Sequence, residues 1–87
     1  MKTEQTEKWE KAFKFLEGAK VVKVDYMTSK VAEKYGWDNR PIQIHLDNGG
    51  TLIPQRDDEG NDAGALWVGL EVGGKDRSLA PVLSVSD

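Results

Sequence analysis

Four carboxylates crowd into six residues at Asp57, Asp58, Glu59 and Asp62, with Asn61 among them. Hard cations take oxygen ligands, so calcium or magnesium is one chemistry this segment offers. The spacing is not that of an EF-hand, which needs glycine at the sixth position and glutamate at the twelfth. Counted from Asp57, the sixth position is Asp62. A structured turn suits the segment better, because Asp and Asn side chains accept from nearby backbone amides while Gly60 and Gly64 take unusual φ. A partner-binding loop is the next reading, with Arg56 or Arg40 neutralising one carboxylate. Asp57 with Glu59 makes a poor acid–base pair, since an exposed, glycine-flanked loop supplies neither burial nor a cleft to tune their pKa values.

His45 is the only histidine. No serine or cysteine stands beside it in a nucleophile motif, and a lone imidazole without thiolates makes a poor transition-metal site. Trp37, Asn39 and Arg40 form a second cluster. Trp and Arg anchor many binding interfaces, but Trp37 also suits a cover for a sheet edge. Trp67 alternates against Leu66 and Val68, so it faces solvent, the first helix or another subunit. Lys20, Lys23 and Lys30, with Tyr26 and Tyr35 nearby, hint at an oligonucleotide surface, but Asp25 dilutes the charge and Tyr26 is expected to point inward. Gly73-Gly74-Lys75 lacks the upstream glycine and the following Ser/Thr of a phosphate loop.

Positioning these groups falls to short elements. Trp9, Phe13 and Leu16, with Ala12, make one apolar stripe on a helix over 3–18, with Phe15 off it. Thr3 or Thr6 caps its start and Gly18 its end. A strand covers 20–27, with Val22, Val24 and Tyr26 on one face. Thr28 caps a short helix over 29–35, closed by Gly36. Residues 41–47 alternate, with Ile42, Ile44 and Leu46 inward and Gln43, His45 and Asp47 outward. Asn48-Gly49-Gly50 turns the chain into a return strand over 51–56, where Pro54 forces an edge or a bulge. After the acidic loop come strands over 65–72 and 79–85 with a turn at 73–77. The fold expected is α+β: an N-terminal helix, a short second helix, and a strongly bent five-stranded antiparallel sheet or small SH3-like barrel.

The chain is long enough for one domain, expected over 1–87, with its sheet-forming body over 20–85. Hydrophobic residues are 38% and charged residues 31%, a globular rather than a disordered balance. The absence of cysteine removes disulfides and thiolate metal sites and suits a reducing cytoplasm. No apolar run reaches membrane-span length, and the charged first ten residues are no signal peptide. A net charge of −3 gives no general attraction for phosphate.

Val24-Asp25-Tyr26-Met27-Thr28, Gly36-Trp37, Arg40-Pro41, Leu46-Asp47-Asn48-Gly49, Pro54, Arg56-Asp57-Asp58-Glu59-Gly60-Asn61 and Gly64-Ala65-Leu66 together resemble a family of small uncharacterised prokaryotic and phage proteins. Asp-Asp-Glu-Gly-Asn is the most specific part. Ser29, Lys30 and Val31 stand where such proteins carry acidic residues, and Gly50 is an extra hairpin glycine. The resemblance implies a fold and a place to look, and no activity.

These readings converge on a non-enzymatic protein-binding or regulatory module without a cofactor. Its expected binding residues are Trp37, Arg40, Asp57, Asp58, Glu59, Asn61 and Trp67. Its expected partner is a protein, a second copy of the chain included. Single-stranded nucleic-acid binding and divalent-cation binding at 57–62 are the alternatives.

Overall fold

Two threonine caps start the two helices. In the computed structural model, which describes residues 3–72 and 75–87 (70–77 as backbone alone), α1 spans Glu4–Ala12 and α2 spans Ser29–Lys34. The Thr3 hydroxyl accepts from the Thr6 amide at 3.1 Å, and the Thr28 hydroxyl from the Val31 amide at 3.3 Å. Each satisfies one of the amides that a helix start leaves without a partner. The expected single helix over 3–18 is instead bent. α1 ends at Ala12, Phe13 leaves helical geometry, and Lys14–Leu16 forms one tighter 3-10 turn. The bulky residues Phe13, Phe15 and Leu16 do not all fit one face of a straight helix.

Strands β1 (Val21–Tyr26), β3 (Ile42–Leu46) and β4 (Thr51–Leu52) form one antiparallel sheet in the order β1-β3-β4. Strands β2 (Asn39–Arg40) and β7 (Leu83–Ser84) form a second pair. Strands β5 (Val68–Val72) and β6 (Lys75–Leu79) form a third. The α+β class and both helices therefore stand, but among the described residues the strands make three small sheets rather than one bent sheet, and no closed barrel. Pro54 has no amide to donate, and β4 ends at Leu52. Residues 65–67 join no strand; β5 starts at Val68. The expected final strand over 79–85 is broken at Pro81 and shrinks to β7. The expected turn reaches to 77, yet Lys75 already pairs with Val72. The Gly73-Gly74 part of that turn, like the tail residues Met1 and Lys2, lies outside the described residues.

The core is small. Met27, Ala32, Trp37 and Ala63 cluster together, flanked by Ile53 and Val85, and the Pro41 side chain is fully buried. β1 carries a bulge between Val21 and Lys23 and runs along the edge of its sheet. Its Val22 and Val24, expected to face inward, are exposed. Among the described residues α1 has no substantial packing on any strand and buries none of its own residues, so it does not cover them.

Candidate functional site

Residues 54–64 close into a hydrogen-bonded loop. Gln55 bridges Ala63, the Arg56 amide donates to the Asp62 carbonyl at 3.1 Å, and the Gly64 amide to the Pro54 carbonyl at 3.0 Å. At the tip, Asp57 accepts from the amides of Glu59 (3.0 Å) and Asn61 (3.3 Å) and from the Asn61 side chain (2.8 Å). The Asn61 side-chain hydrogen bond, the two amides and the nearby Arg56 guanidinium hold its carboxyl below the ordinary value, against the opposing effect of burial. Gly60 turns the chain at φ 73°. Gly64 does not adopt positive φ, contrary to expectation. Its need is space: a Cβ there would lie 2.6 Å from the Gln55 carbonyl carbon.

The inner end of the loop is fastened by Asp62 and Trp37. Asp62 is 6% exposed. Its carboxylate accepts from the Ala63 amide (2.7 Å), the Asn39 amide (3.1 Å) and the Asn39 side chain (3.2 Å). Burial raises its pKa, but the amides of Ala63, Asn39 and Asp38 with the Asn39 side chain outweigh that effect and hold it below the ordinary value. Trp37, 7% exposed, donates its indole N–H to the Gly60 carbonyl at 2.9 Å. Its ring lies against Tyr35, with centroids 5.3 Å apart. Met27, Tyr35, Trp37, Ile53, Gln55 and Gly60 then line a half-open groove of about 300 Å³.

The expected binding residues are thus only partly brought together. Trp37, Asp57, Glu59 and Asn61 belong to one hydrogen-bonded unit, and Asp58 projects into solvent beside it. Arg40 donates to the Ser84 carbonyl at 3.3 Å, and Arg56 is the cation beside Asp57, at 3.6 Å. Trp67 is 68% exposed, and its ring covers Gly69 on the way into the β5–β6 hairpin. Tyr35 and Asp62, both noted in the sequence, were not among the expected binding residues. The spacing Tyr35-Gly36-Trp37 was the available signal for the aromatic pair; nothing local distinguishes Asp62 from its acidic neighbours.

A second polar cluster lies on the β1–β3 face. Register sets Lys23 opposite His45 and Asp25 opposite Gln43. Asp25 Oδ1 lies 2.9 Å from both His45 Nε2 and the donating Gln43 Nε2, and Lys23 Nζ is 3.4 Å from Oδ2. Chiefly through the His45 and Gln43 hydrogen bonds, with help from Lys23, the Asp25 carboxyl is lowered to about 2. An Asp–His pair resembles part of a hydrolase triad, but no hydroxyl is hydrogen-bonded to His45 among the described residues. Nor do three carboxylate or imidazole groups converge on a common point among those residues, and no helix there is long and apolar enough to cross a membrane.

No protein-family model, curated protein or solved structure matches the chain. What fold and site define is a small α+β domain that fastens an acidic loop across a tryptophan.

Proposed function

We propose that the protein is a non-enzymatic protein-binding module, and that its partner places an apolar side chain in the groove between Tyr35 and the 54–64 loop. One observation carries this reading: a half-open groove floored by Met27, Trp37 and Ile53, with Tyr35 exposed at its rim. Apolar floors with a few polar groups at the edge are what binding pockets are made of. The acidic tip, Asp58 and Glu59, beside such a groove favours a partner segment that pairs the apolar anchor with Lys or Arg. Buried indole, saturated carboxylates and a fixed loop present that surface ready-made, which limits the ordering cost of association.

Selection of displayed random peptides against the protein, counter-selected on Tyr35→Ser, tests it. Peptides with one large apolar residue next to a basic one are expected, and their binding should quench or shift Trp37 emission. Failure to enrich any peptide that distinguishes the two proteins removes the reading.

A further inference from the structure

The chain has three asparagines, and one of them, Asn48, is followed by glycine. Asparagine is a chemically labile residue, and glycine after it leaves the next amide nitrogen unshielded by a side chain. That nitrogen can close a five-membered ring onto the asparagine carboxamide. The N–Cγ bond forms and the Cγ–NH2 bond breaks. The amide proton passes through solvent to the departing nitrogen, which leaves as ammonia. Water then opens the succinimide at either carbonyl, giving aspartate or isoaspartate. Nothing is oxidised or reduced. In this fold the Asn48 carboxamide is engaged at both of its ends. Nδ2 donates to the Phe15 carbonyl at 2.9 Å, and Oδ1 accepts from the Gly50 amide at 2.9 Å. The Gly49 amide, the attacking group, donates to the Leu46 carbonyl at 3.2 Å. Gly49 sits at φ 89°, where a side chain would be strained, so the turn keeps glycine where the reaction needs it. Both residues are exposed, so water reaches them.

We infer that Asn48 is a modification site, and that its deamidation loosens the 3-10 turn after α1 from the β3–β4 hairpin. The inference stands apart from the groove reading. Phe15 belongs to that turn and lies 33 residues from Asn48 in the chain, so this one side chain joins two distant segments. An ionised aspartate has no side-chain donor. In place of the Asn48 amide it sets a carboxylate oxygen against the Phe15 carbonyl, acceptor against acceptor. Isoaspartate goes further, because it adds a carbon to the main chain inside a turn that the Leu46 amide closes on the Gly50 carbonyl at 2.8 Å. The Phe15 ring also lies beside Gly50, where an added Cβ would meet it at 3.1 Å, so a displaced turn disturbs both contacts. The change runs one way, since no step restores the lost nitrogen. The same hydrogen bonds set its pace: Gly49 attacks only while the carboxamide is released.

The test holds the full chain in warm, mildly alkaline buffer beside a short peptide of residues 45–51, with both followed by mass mapping of their fragments. Asn48 should convert about ten- to hundredfold more slowly in the protein than in the peptide, because two side-chain hydrogen bonds have to open first. Asn39 and Asn61, followed by Arg40 and Asp62, should stay amides. In the aged protein the amides of Leu16, Glu17 and Ala19, which donate to the Phe13, Lys14 and Leu16 carbonyls, should exchange with solvent about five- to tenfold faster. Asn48→Asp should show that faster exchange from the start. Asn48→Ala, which lacks the donor and cannot react, should show it too, without change on ageing. An Asn48 that stays an amide after the peptide has converted overturns the inference. So does conversion at the peptide's rate, since the carboxamide is then not held, or unchanged exchange at those three amides in the aged protein.

Discussion

Asp62→Ala removes the acceptor on which three donors converge: the Ala63 amide, the Asn39 amide and the Asn39 side chain. A buried donor left without a partner costs about 1–3 kcal/mol. The loop's outer side faces water, and relaxation there will satisfy part of the debt, so a total of about 3 kcal/mol is expected. A domain of this length has a stability of roughly 4–13 kcal/mol. The loss is therefore a large share of it, and Tm should fall by roughly 12–24 °C. Asp62→Asn keeps one acceptor oxygen and should lose about half as much. Urea unfolding followed by circular dichroism reads both. The pH dependence gives a second check. Asp62 titrates below its unfolded value. Its contribution is thus fully present above about pH 4 and is lost as pH falls through the folded value. The difference between wild type and Asp62→Asn should shrink over that interval. If Asp62→Ala melts within about 4 °C of wild type, less than about 1 kcal/mol, the carboxylate does not fasten the loop and the account of the site fails.

Gly64→Ala should destabilise by about 1–3 kcal/mol through overpacking against the Gln55 backbone, measurable by the same unfolding; an unchanged midpoint would show that the two segments do not approach as described. For the sheet cluster, carbon-detected NMR should find the Asp25 carboxyl titrating near pH 2, and His45→Ala should move it back toward 3.8. Because its folded value is depressed, the cluster stabilises above the unfolded value and weakens as pH drops through the folded one. An ordinary Asp25 titration in the wild type would refute the cross-strand hydrogen bonds.

Local signals were legible and long-range pairings were not. Thr28 before Ser29 and Gly36 after Tyr35 bracket α2 in the sequence as they do in space, because capping is a matter of neighbouring residues. Asn48-Gly49 likewise sits at the turn between β3 and β4. The register that joins Asp25 to His45 and Gln43 has no such mark: β1 and β3 are separated by a helix, so no hairpin fixes their alignment. The pairing of β2 with β7 joins residues 40 and 83, out of reach of any periodicity. Alternation over 65–72 and 79–85 suggested strands that would close a barrel, yet alternation states only that a face exists, and Pro81 and the late start of β5 interrupt the ladders. Trp37 read as an interface anchor by residue type, or as the cover of a sheet edge. Its indole instead found a carbonyl 23 residues on. The stripe Trp9, Phe13 and Leu16 was read onto one helix, but that helix ends at Ala12, and no periodicity says whether anything covers an apolar face.

The Asn48 side chain ties the 3-10 turn after α1 to the tip of the β3–β4 hairpin, and among the described residues α1 itself has no substantial packing on a strand. Residues along its length can therefore drift in sequence without disturbing the side chains that determine whether the rest folds. Natural variation can therefore alter the surface of this helix separately from the residues on which folding depends, and relatives of the chain should differ most along it.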